Sequence, residues 1–241
     1  MKRTTSLLAI VGMAALLLTT ASANAAAVPI AGTGFSVDAI VEAGATDAAT
    51  GAPYAGWASW VLAEVGAPGI GAGTPLPSGG LVTTKNGTQF QLEPYTGNNT
   101  LVNGDTFTLD TPGSYNDLRF FITGIGGGTA DNFQATINFS DASSALFSFS
   151  VADWQGSRDY NAFDEKTAYV RRTSGSIGLW TRELVYPLDL GDQTKTIESI
   201  DFALADRLGL SAVSGTIPEP TSLVLAGLGL FGLVTRRRRT R

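Results

Sequence analysis

Neither cysteine nor histidine occurs anywhere in the chain. Their absence excludes disulfide staples, thiolate nucleophiles, Ser-His-Asp triads and ordinary zinc sites, since each needs a thiolate or an imidazole. The folded part must rest on its apolar core alone, and roughly 190 residues between the two ends suffice for one. Charge is scarce, at 15% of residues, while glycine is frequent, with 29 among 241. That balance favours a turn-rich all-β domain over a helical bundle.

The formal net charge of -5 conceals a more acidic body. Lys2, Arg3 and the arginines at 236 to 239 and 241 lie at the two ends. Without those seven cations and Glu219, about 9 basic residues face about 20 acidic ones, a net charge of about -11. Such a body repels phosphate backbones, so nucleic acid is not an expected partner. A neutral polysaccharide or a cation suits it better.

At the N-terminus, Lys2 and Arg3 precede an apolar run from Leu7 to Leu18, followed by small residues from Ala21 to Ala27. This is the order of a secretory signal peptide, with cleavage expected between Ala25 and Ala26 and Ala27 as the runner-up. The general secretory machinery and signal peptidase are the partners this implies. An apolar run of about a dozen residues is short for a permanent membrane span.

At the C-terminus, Pro218-Glu219-Pro220 leads into an apolar stretch from Leu223 to Val234 and then into Arg236, Arg237, Arg238 and Arg239. Prolines two apart hold the backbone extended, which suits a segment that a processing enzyme must grip. The arginines stay on the cytoplasmic side and halt translocation. Motif, apolar helix and basic end together resemble a PEP-CTERM sorting tag. The resemblance implies processing by an exosortase, a membrane-embedded enzyme of Gram-negative bacteria that make exopolysaccharide. It further implies a transient inner-membrane intermediate and a mature product at the cell surface or outside the cell.

Between the ends the sequence alternates and turns often, and the helical period is nowhere sustained. Leu81 to Lys85 and Thr88 to Leu92 flank Asn86-Gly87, a strong hairpin signal. Phe133 to Phe139 and Leu146 to Val151 predict a second hairpin. Further strands are expected at 35–41, 106–109, 118–123, 168–172, 184–187, 197–204 and 210–213, while 43–65 reads as a helical turn or long loop and 66–80 as loop. Such spacing predicts an antiparallel β-sandwich. The expected organisation is a signal peptide over 1–25, the β-sandwich over 26–216 and the sorting signal over 217–241, so a signal helix and an apolar C-terminal helix flank the body.

Gly97-Asn98-Asn99-Thr100-Leu101, Leu109 to Leu118, Val151-Ala152-Asp153-Trp154, Tyr186-Pro187-Leu188 and Lys195 to Ile200 resemble landmarks of galactose-binding-like jelly-roll domains. The likeness spans roughly 95–215. It implies a jelly-roll sandwich that in relatives often, though not always, binds carbohydrate.

Asp153 and Trp154 follow a predicted strand and lead to Arg158 and Tyr160. An aromatic face beside charged groups suits a sugar, whose ring stacks on the indole while its hydroxyls meet the charges. A plain alternative is that Trp154 caps the core and Asp153 a turn. The carboxylates at 153, 159, 164 and 165 would also suit calcium, but their spacing is that of no known calcium loop. No catalytic residue, metal ligand or cofactor is therefore expected. The leading expectation is a structural or carbohydrate-binding matrix protein, not an enzyme, and the alternative is a polysaccharide-acting enzyme that uses two carboxylates. Trp57, Trp60 and Trp180 fit either a core or an exposed platform.

Overall fold

A computed structural model describes residues 26–44, 60–68, 70, 72–124, 131–151, 161–167, 169–171, 179–204 and 208–218. They form fourteen strands: β1 (Ala27–Ile30), β2 (Gly32–Thr33), β3 (Ile40–Val41), β4 (Trp60–Ala63), β5 (Leu81–Thr83), β6 (Gln89–Gln91), β7 (Thr106–Gly113), β8 (Asp117–Gly124), β9 (Asp131–Phe139), β10 (Ser144–Val151), β11 (Tyr169–Arg171), β12 (Thr181–Pro187), β13 (Ile197–Leu204) and β14 (Leu208–Thr216). No helix occurs among the described residues.

The strands build a four-stranded sheet, β1-β14-β8-β12, and a five-stranded sheet, β10-β9-β13-β7-β2, both antiparallel. Period-two alternation sets which side chains go inside. Phe133, Ala135, Ile137 and Phe139 of β9 are buried while Gln134 is exposed. From the other sheet, Leu118, Phe120 and Ile122 of β8 enter the same apolar interior. Phe120 touches the rings of Phe133, Phe147 and Phe202, with centroids 5.3, 5.7 and 6.1 Å away. Those contacts join the two sheets face to face, as sandwich packing requires.

The four-stranded sheet is covered on its other face as well. Phe121 of β8 and Ala212 of β14 belong to a second apolar cluster with Ile40, Leu62, Leu76, Val82 and Phe90. These come from β3, β4, the β5–β6 hairpin and the loops between them. Every residue of β14 is consequently buried, and its alternation of polar and apolar residues is lost. The outer face of the five-stranded sheet has no such cover among the described residues.

Most expected strands are present with shifted ends, and Ile197–Leu204 is present as expected. The segment expected as one strand over 35–41 is broken. Asn99 Oδ1 accepts from the Ala39 N–H, and Asn99 Nδ2 donates to Asp38, so a buried amide stands in for a strand neighbour there. The segment 43–65 ends in a strand, β4, rather than in a helical turn or loop. Its Trp-Val-Leu-Ala run has no periodicity to separate strand from helix.

Candidate functional site

Two features bear on function: the paired ends of the body, and the face of the five-stranded sheet that nothing covers among the described residues. β1 starts at Ala27, one residue after the expected cleavage product Ala26, and β14 ends at Thr216, two residues before Pro218. The two strands pair with Ala27 opposite Thr216. Both segments that extend beyond the body therefore leave it at one corner of one sheet. Thr216 is held there by its own hydroxyl, which donates to Asp117 Oδ1 at 2.9 Å, and by its carbonyl, which accepts from the Asn116 N–H at 2.7 Å. Ile217 is half exposed, so the chain leaves the packed sheet directly after Thr216. Removal of everything after Pro218 would leave β14, the strand between β1 and β8, intact.

On the outer face of the five-stranded sheet the register aligns side chains in rows. One runs Leu146–Thr136–Asp201–Thr106 and the next Ser144–Asn138–Ser199–Thr108–Thr33. Asp201 ties strands together across the face, accepting from Thr106 Oγ1 at 2.6 Å and from Asn138 Nδ2 at 2.8 Å. Asn138 also donates to Ser199 Oγ at 3.1 Å. The two rows hold hydroxyls, an amide, one carboxylate and one leucine, and neither a cation nor an aromatic ring. Sequence reasoning missed this face, although the polar half of each alternating strand was its signal.

Of the residues expected to meet a sugar, Asp153, Trp154, Arg158 and Tyr160 lie outside the described residues, as does Asp159. In the chain they come directly after β10, the edge strand of the polar face. Asp164 and Glu165 are exposed, and Glu165 accepts from Thr74 Oγ1 at 3.0 Å. Trp180 is buried beneath Lys166, whose Nζ sits 5.8 Å from the ring centroid. Trp57 lies outside the described residues, and the backbone of Trp60 belongs to β4. Among the described residues no three carboxylates are grouped to hold a metal ion. Ala25, Glu219, Pro220 and the four arginines from Arg236 to Arg239 are also outside the described residues, and so are both apolar runs.

A cation clamp fixes one end of the polar face. Lys195 Nζ donates to Asp192 at 2.8 Å and to Ser143 Oγ at 2.9 Å, lies 3.9 Å from Asp141, and sits over the Phe139 ring. The hydrogen bond to Asp192 raises the Lys195 pKa, and the hydrogen bonds from Ser143 lower that of Asp141. The Lys195 contribution is then complete below the ordinary lysine pKa and is lost as pH rises through the raised one. The Asp141 contribution is complete above the ordinary aspartate pKa and is lost as pH falls through the lowered one. Melting temperature followed against pH should show Lys195→Gln destabilising the protein at neutral pH but matching wild type at strongly alkaline pH. Asp141→Asn should converge with wild type only at acid pH. A constant offset across the whole range would show that the clamp's charges do not matter.

Among the described residues the body is all-β, and the chain leaves its last strand at the exposed Ile217. Residues 216–239 match the PEP-CTERM protein-sorting motif, which marks an exported protein that an exosortase processes and directs toward the cell surface. A search of curated proteins finds no match to the chain.

Proposed function

We propose that the mature protein is a structural or carbohydrate-binding component of the cell surface or extracellular matrix, acting in association with exopolysaccharide without catalysis or a cofactor. The reading rests on the polar outer face of the five-stranded sheet. A neutral polysaccharide presents hydroxyls at regular intervals, and the serine, threonine, asparagine and glutamine side chains of this face can exchange hydrogen bonds with them. Each exchange against water is worth only about 0.5 to 1.5 kcal/mol, so retention depends on many contacts along a long chain. An acidic body with no cation in these rows disfavours anionic polymers.

We read the body as a galactose-binding-like jelly roll, in which Asp153, Trp154, Arg158 and Tyr160 supply the stacking part of the surface. Their place in the chain, immediately after an edge strand of the polar face, supports that reading. Both processed ends leave one corner, so the body is free to fold while its tail is still held in the inner membrane. That arrangement accords with exosortase processing after folding.

The test is a pull-down of the exported protein on neutral and on anionic polysaccharides. Retention on the neutral polymer is expected, with clear loss in Thr136→Lys and in Trp154→Ala. Unchanged retention in Trp154→Ala would remove that residue from the surface. No retention of wild type on any polymer would leave the structural role alone.

A further inference from the structure

Sheet edges expose backbone groups, and the two sheets differ in how theirs are guarded. β1 carries Pro29, β2 is only two residues long, and β12 is covered in part, where the Ala162 N–H donates to Thr181 O and Asn161 bridges Arg182. These are devices by which proteins keep edges from pairing with other chains. β10 has none of them. Its sequence, Ser-Ala-Leu-Phe-Ser-Phe-Ser-Val, holds no charge, proline or glycine, and its register with β9 is unbroken from Ser144 to Val151. Among the described residues no strand lies beyond it.

The direction of each backbone group follows from the ladder. In an antiparallel pair, alternate residues turn both N–H and C=O toward the neighbouring strand. The Phe139 N–H donates to Ser143 O at 3.0 Å, so with this register Ala145, Phe147, Phe149 and Val151 bond to β9. Ser144, Leu146, Ser148 and Ser150 therefore turn their N–H and C=O groups outward. The side chains of these same residues lie on the polar face, where Leu146 is 66% exposed. Phe147 points inward and stacks on Tyr186 of β12, with centroids 4.5 Å apart.

We infer that β10 is an assembly edge that pairs antiparallel with β10 of a second copy, joining the two five-stranded sheets into one. The register that satisfies every outward group sets Leu146 opposite Ser148 of the second copy and Ser144 opposite Ser150, with the two-fold axis at Phe147. Charge selects this edge. Two bodies of about -11 repel each other, and an uncharged seam lets them meet without opposing carboxylates. Pairing through β10 leaves the polar faces of both copies on the same side of the joined sheet, a doubled surface, although the pairing itself does not depend on what that surface binds.

Light scattering on the exported product of the full-length chain, with no polysaccharide present, tests the inference. A dimer mass is expected for wild type. Leu146→Lys puts a charge at an exposed seam position, and Ser148→Pro removes only an N–H that faces outward; each should give the monomer mass with an unchanged circular dichroism spectrum. Because the chain has no cysteine, the double variant Leu146→Cys with Ser148→Cys reports register directly, and a disulfide-linked dimer is expected on oxidation. A monomeric wild type, or a dimer that survives both single variants, would overturn the inference. A dimer that the cysteine pair does not link would overturn the register.

Discussion

Phe120→Ala is expected to cost about 3 to 5 kcal/mol of stability, the range for removing a fully buried phenylalanine. Phe120 is completely buried at the centre of the sandwich, and its ring packs on rings from β9, β10 and β13. Neighbouring rings could move in only partly, because Phe133 and Phe147 are already in contact with each other at 5.6 Å. The void would persist, and the loss should approach the upper end of the range. A domain of this size is stable by about 5 to 15 kcal/mol in total, so a third or more of the margin would go. Urea denaturation provides the measurement: the midpoint should fall with the slope unchanged. A loss below about 1 kcal/mol would mean that the two sheets do not share this core.

The sheets were legible in sequence where one face is buried and the other is wet. β9 and β10 alternate cleanly, β13 does so from Ile200 onward, past the irregularity between Ile197 and Ser199, and Asn86-Gly87 marks its hairpin, with Gly87 at φ 80 and its N–H bonded to Thr84 O. Legibility failed where both faces are covered. The sequence predicts β14 over 210–213 only, because Ser214, Gly215 and Thr216 after it are small or polar, yet all are buried between the sandwich interior and the outer cover. That cover is assembled from short strands far apart in the chain, β3, β4, β5 and β6, and none has enough residues for a period to show. The sorting tail was the most legible part of all, since its order of motif, apolar run and arginines is local. The polar face was legible only in retrospect: each strand shows its polar half, but the rows exist only once register is known.

Legibility also stopped short at β12. The strand predicted from the sequence starts at Leu184 and stops short of Arg182 and Glu183. Both are in fact buried within the strand, at 1% and 2% exposure. A charged residue inside an apolar strand signals a partner from elsewhere, and here that partner is the β5–β6 hairpin. Glu183 accepts from Thr84 Oγ1 at 2.7 Å, Asn86 Nδ2 at 2.9 Å and Thr88 Oγ1 at 2.5 Å. Arg119 Nη1 lies 3.3 Å from the same carboxylate and donates to Thr88 as well. A buried carboxylate, costly without partners, is here hydrogen-bonded to the hairpin and helps fasten it to the sheet.

Glu183→Ala should accordingly cost about 3 to 5 kcal/mol, because deleting one member of a buried pair strands the others. Thr84 and Thr88 would keep buried hydroxyls without their acceptor, and Arg119 would face a cavity with only Asp117, 3.0 Å from its Nε, left to neutralise it. Glu183→Gln keeps the shape and one acceptor oxygen but removes the charge, so a smaller loss is expected. Replacing Glu183 and Thr88 together by apolar residues of similar volume should recover part of it, since matched removal of both ends leaves fewer polar groups unsatisfied. The hairpin should feel the change first. Amide exchange at Gly87 and Phe90 should accelerate in Glu183→Gln under conditions where Phe133 and Ile200 at the sandwich centre remain protected. Equal acceleration at all four positions would place the clasp in the global fold instead of the cover layer, and no acceleration at any would show that the hairpin is held by its apolar contacts, Val82 and Phe90 among them, without the carboxylate.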